Sequence, residues 1–179
     1  MKKALMVYWS ATGNTEKVAI AIKKGLEAAD VKVTLKKPAE AAEIDYFDYD
    51  LVCVGSPSLQ WHIPKPLDDF LKAKLAKYRQ QGKIKPIAPK IPGKYALIFC
   101  TYSGPHTGLD EATPAGKYIC QFFEHLGFTV LDEWYILSEL HGNLENSTKG
   151  RMGDIRGKPT IQELAKIKKD AEAITAKLL

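Results

Sequence analysis

The apolar segments of this chain are short and unbroken, and they are separated by stretches with helical spacing, a rhythm that few folds accommodate. Runs at 4–9, 31–35, 51–55, 95–101 and 128–137 read as five strands. Segments such as Leu-Val-Cys-Val-Gly and Ala-Leu-Ile-Phe-Cys show no in-and-out alternation, so both of their faces must be covered, as in a parallel sheet between helices. Val18, Ile22 and Leu26 fall at i, i+4 and i+8 and place one apolar stripe on a helix over 14–29. A second long helix is expected over 67–78, behind Pro64 and Pro66, with Phe70 and Leu71 turned to the sheet. Thr113 and Pro114 read as N-cap and N1 of a third, which ends at Gly127. Thr160 and Glu163 form a capping-box pair for the last, and a short helix is expected near 38–44. Strand and helix alternate throughout, so the expected class is α/β: one domain over 1–179, with a doubly wound five-stranded parallel sheet and helices on both faces.

The charge balance narrows the function classes. Twenty-six Lys and Arg stand against 21 Asp and Glu, for a formal net charge of +5. Eight of those cations lie between residues 72 and 94, where there is no acidic residue, leaving 18 basic against 21 acidic elsewhere. The excess is one local strip, expected at the end of the sheet away from any ligand loops, and it does not argue for nucleic acid. A non-enzymatic interaction module using that strip is the reading from another class. Cys53, Cys100 and Cys120 are widely spaced and form no metal or disulfide pattern. The apolar stretch at the N-terminus is broken by Thr12 and Gly13, and no run approaches the roughly 18 residues of a membrane span. A reducing, cytoplasmic location is the expectation, with no metal and no membrane partner.

In a doubly wound sheet, ligands settle beyond the C-terminal ends of the strands, so the turns after strands one, three and four carry the candidate chemistry. The first is Ser10, Ala11, Thr12, Gly13, Asn14 and Thr15, leading straight into a helix. Its hydroxyls, its glycine and the free N–H groups of a helix N-terminus suit a phosphate, although no Lys or Arg lies in the loop. Neither GxxxxGK[ST] nor GxGxxG is present. The second turn holds Pro57, Ser58, Leu59, Gln60 and Trp61, whose indole could stack on an aromatic ligand; Trp9 and Trp134, inside strands, read as core. The third holds Thr101, Tyr102, Ser103 and Gly104, followed by His106.

The segment VYWSATGNTEKVA resembles the phosphate loop of the flavodoxin family, [ST]x[ST]GxT after the first strand. VGSPSLQWHIPKPLDDFL resembles the GSP segment of flavodoxin-like reductases, and the 101–104 turn aligns with the third flavin loop. The resemblance covers almost the whole chain. It implies strand order 2-1-3-4-5 and non-covalently bound FMN, with its phosphate on the 10–15 loop, Trp61 on one ring face, Tyr102 a candidate for the other and the 101–104 backbone at the ring edge. His106 is the weak catalytic candidate, with His62 behind it. Electron transfer through the flavin follows as the implied function, with a redox protein or a small-molecule acceptor as partner. The alternative is an NAD(P)H-dependent quinone or flavin reductase, toward which His62 leans, because it stands where single-electron carriers often have glycine. The polar stretch 138–158 is expected to form a lid or an oligomer contact.

Overall fold

In a computed structural model, which describes residues 1–178, the five strands form one parallel sheet in the order β2-β1-β3-β4-β5. The strands are β1 (Lys3–Tyr8), β2 (Lys32–Lys36), β3 (Leu51–Pro57), β4 (Tyr95–Tyr102) and β5 (Thr129–Leu137). The helices are α1 (Asn14–Ala28), α2 (Lys65–Gln80), α3 (Thr113–His125), the short α4 (Leu144–Lys149) and α5 (Ile161–Ile174). Both the class and the order match the sequence expectation.

Unbroken apolar strands make sense once the two faces are separated. Leu5, Val7, Val52, Val54, Ala96, Ile98 and Cys100 point to one side, where Leu67 and Leu71 of α2 and Ile119 and Phe123 of α3 cover them. Their neighbours Ala4, Met6, Leu51, Cys53, Leu97 and Phe99 point to the other, under Val18 and Ile22 of α1 and Ile167 and Ala171 of α5. Helices α1 and α5 approach so closely that a Cβ on Gly25 would meet the Lys168 carbonyl oxygen at 2.1 Å. Capping behaves as expected at α5, where Thr160 Oγ1 accepts from Glu163 N and Glu163 Oε2 accepts from Thr160 N. Gly127 follows α3 at φ 78°, but Ala112 is the N-cap, so Thr113 and Pro114 each stand one position further into the helix than the sequence suggests.

The link from β2 to β3 differs more. Where a short helix was expected over 38–44, only a 3₁₀ turn forms at Pro38–Ala41, with another at Tyr46–Asp48. Free carbonyls left by this irregular backbone are taken up by lysines of the basic strip. Lys74, 3% exposed, donates to Ala42 O (2.7 Å) and Ile44 O (2.5 Å), and Lys94 donates to Phe47 O (2.6 Å) and Tyr49 O (2.9 Å). Lys83 pairs with Asp45 at 2.6 Å, Lys77 with Glu43 at 3.1 Å, and Lys90 donates to Phe128 O. Several cations of the strip thus brace neighbouring backbone, Lys74 from a buried position, while Lys72, Arg79, Lys85 and Lys90 stay exposed. Among the described residues no helix is long and apolar enough to cross a membrane, and no cluster of three potential metal ligands occurs.

Candidate functional site

Sheet order 2-1-3-4-5 places the reversal between β1 and β3, so the loops after β1 and β3 diverge to opposite faces and leave a crevice at their C-terminal ends. The sheet ladder continues into that crevice beyond the strands. Trp9 N donates to Gly55 O (3.1 Å), Ser58 N to Thr101 O (2.9 Å) and Ser138 N to Tyr102 O (2.7 Å). These bonds hold the loops after β1, β3, β4 and β5 side by side.

The first wall is the 10–15 turn. Gly13 adopts φ 96°, a left-handed conformation that favours glycine, and its N–H donates to Ser10 Oγ at 3.1 Å. Having no side chain, it leaves the first turn of α1 uncapped. The N–H groups of that turn have no side-chain cap, and the hydroxyl residues Ser10 and Thr12 line the cleft beside them, a donor set that fits a phosphate monoester. Thr15 is buried, and its Oγ1 lies 2.8 Å from Thr101 Oγ1, which ties the start of α1 to the end of β4. Behind the turn, the Tyr8 hydroxyl bonds Glu16, and Lys37 Nζ lies 3.2 Å from the same carboxylate and 4.3 Å from the centre of the Tyr8 ring. The Tyr8 bond first, and Lys37 second, hold the Glu16 carboxyl below its ordinary value.

A cleft of about 120 Å³ is lined by Trp9, Ser10, Ala11, Thr12, Asn14 and Thr15, by Pro57, Ser58 and Leu59, and by Thr101, Tyr102 and Ser103. All but Trp9 were expected there from the sequence. Burial raises the Tyr102 phenol above its ordinary value, keeping it neutral. Gly13 and Gly104 shape turns without lining the cleft; Gly104, at φ 54°, is crowded by Gly108 O. Gln60 and Trp61, at φ 49° and 65°, form the tip of a tight hairpin closed by paired backbone bonds between Leu59 and His62. Trp61 is 63% exposed and stands at this tip, outside the cleft wall. His62 turns away: its Nδ1 accepts from Ile63 N, and its ring meets Tyr118 of α3 edge-on at 4.7 Å. His106 is exposed, and its backbone N–H, with that of Thr107, is held by the Glu111 carboxylate at 2.7 and 2.6 Å.

Two parts of the cleft lie outside the three turns. Trp9 lines it while also packing, half-buried, against the core. The fourth wall is Ser138, Glu139, Leu140 and His141, the first residues of the polar stretch after β5. That segment is bound to the first wall by Asn14 Nδ2, which donates to Glu139 O at 3.0 Å. The signal available in the sequence was topological: β5 runs parallel to β4, so its C-terminal turn reaches the same end of the sheet.

Strand order and crevice together define a flavodoxin-like α/β fold. The chain carries that fold, and residues 5–85 match the flavodoxin domain as a sequence family. A flavodoxin from the domain Archaea superposes with a TM-score of 0.66 at 22% identity, covering 98% of both chains. Oxidised Flavodoxin 1 from Bacillus cereus gives 0.67 at 16% identity, covering 99% of each. A curated relative, an NAD(P)H dehydrogenase (quinone) of Rhizobium rhizogenes, is 27% identical over 65% of this chain, and the match spans 64% of that enzyme's length.

Proposed function

We propose that the protein binds FMN in the cleft and transfers electrons through it, as a single redox domain over residues 1–179. The observation that carries this reading is the uncapped start of α1, opening with the hydroxyls of Ser10 and Thr12 onto a cleft also walled by the turns after β3 and β4. When bound, the flavin supplies the electron transfer; the chain supplies binding and orientation. In this reading Ser10, Ala11, Thr12, Gly13, Asn14 and Thr15 surround the phosphate. Pro57, Ser58, Leu59, Gln60 and Trp61 shield one side of the ring, and Thr101, Tyr102, Ser103 and Gly104 meet its edge. The partner is a redox protein or a small-molecule acceptor. Three buried cysteines without disulfides support a reducing, cytoplasmic setting.

Titration of the purified protein with FMN tests this: quenching of flavin fluorescence at micromolar concentration is expected, and none up to the millimolar range sinks the reading. A second reading, an NAD(P)H-dependent quinone reductase, is favoured by the name of the Rhizobium relative. Direct oxidation of NAD(P)H by the FMN-loaded protein in the presence of a quinone separates it from a carrier that needs a separate reductase.

A further inference from the structure

The candidate phosphate loop carries no cation of its own. Among the residues lining the cleft, the ionisable side chains are Tyr102, Glu139 and His141, and of these His141 alone can become positive. Its Nδ1 lies 3.8 Å from Glu139 Oε1, while Glu139 Oε2 accepts from Gly157 N at 2.9 Å. With Nδ1 on the side of that carboxylate, the other ring nitrogen is left to donate elsewhere.

The backbone that presents His141 is tied on every side. Glu139 O accepts from Asn14 Nδ2, and Glu139 N donates to Lys158 O at 3.0 Å. Leu140 N donates to Ser147 Oγ at 3.2 Å, and Ser147 Oγ donates back to Leu140 O at 3.1 Å. Asn143 caps α4 by accepting from Asn146 N. Lys37 is held by Glu16, Arg156 is paired with Asp154 at 2.6 Å, and Lys17, exposed, has its Nζ 3.5 Å from Asn14 Oδ1.

We propose that His141, steadied by Glu139 in the wall tied to the 10–15 loop, is the counter-charge for the phosphate of the bound flavin and sets selectivity for FMN over riboflavin. This rests on the flavin reading above and assigns a phosphate contact to a residue outside the phosphate loop. A charge-assisted hydrogen bond lost from such a contact weakens binding roughly ten- to hundredfold. Riboflavin, identical except for the phosphate, is the internal control.

The test measures FMN and riboflavin dissociation constants for the wild-type protein and for His141→Gln, His141→Lys and Lys17→Ala. His141→Gln is expected to weaken FMN about tenfold or more with riboflavin unchanged, His141→Lys to restore FMN, and Lys17→Ala to leave the ratio of the two affinities as it was. An unchanged ratio in His141→Gln, equal weakening of both ligands, or a ratio that responds to Lys17 alone overturns the proposal. Wild-type protein that binds neither flavin overturns the flavin reading itself, a result distinguishable from all of these.

Discussion

The hydroxyl pair Thr15–Thr101 offers a sharp test of how the cleft is held together. Both residues are almost fully buried, at 2% and 3% exposure, and their hydroxyls lie 2.8 Å apart. Valine has the shape of threonine without its hydroxyl, so Thr101→Val leaves the Thr15 hydroxyl buried with its partner gone, and Thr15→Val does the converse. A stranded buried hydroxyl costs about 1–3 kcal/mol, whereas removing both groups together is nearly neutral. Each single variant is therefore expected to lose about 1–2 kcal/mol, and the double variant less than either sum by at least about 1 kcal/mol. With a urea m-value of about 2 kcal/mol/M, each single substitution moves the midpoint down by about 0.5–1 M at constant slope. Urea unfolding of the four proteins closes the cycle. Additive single effects, within about 0.5 kcal/mol, would refute the claim that this bond joins α1 to β4.

Three further outcomes follow from features outside that pair. Lys74→Met retains the apolar stem but leaves the Ala42 and Ile44 carbonyls without their donor; a loss of about 2–4 kcal/mol is expected, read as a melting temperature lower by roughly 5–15 °C. Burial raises the Glu133 carboxyl, but its bonds to Lys117, Tyr135 and Cys120 outweigh that and hold it below its ordinary value. Its stabilisation is therefore present above that ordinary value and disappears as pH falls through the lowered one, so the stability gap between the wild type and Glu133→Gln, measured by urea midpoint, should close on acidification. Trp61→Ala, at an exposed tip, should leave the melting temperature within about 2 °C while weakening FMN several-fold, since stacked aromatic contacts contribute about 0.5–1.5 kcal/mol.

The strands and long helices were legible because they rest on local periodicity and on punctuation by Pro, Gly and capping residues, as Thr160 and Glu163 show. The β2–β3 link was not, because what stabilises it comes from Lys74 and Lys94, tens of residues away, and no local pattern announces a lysine that will be buried. For the same reason the run of cations gave no sign that Lys74 within it would be buried. The 10–15 turn and most of the turns after β3 and β4 could be placed, since strand order dictates where they meet. Ser138, Glu139, Leu140 and His141 begin the stretch expected to form a lid or an oligomer contact, but a polar stretch has no period, and only its docking against Asn14 shows which of its residues wall the cleft. Trp9 reads as core and does pack half-buried against it, but it lies past the last paired residue of β1 and so lines the cleft as well.

The bond from Asn14 to Glu139 joins positions 125 residues apart. During synthesis the 10–15 turn leaves the ribosome early, yet the facing wall of its cleft does not exist until residue 139 and the segment that clamps it have been made. Nascent chains that already hold the β1 turn therefore lack that wall until the segment after β5 has followed.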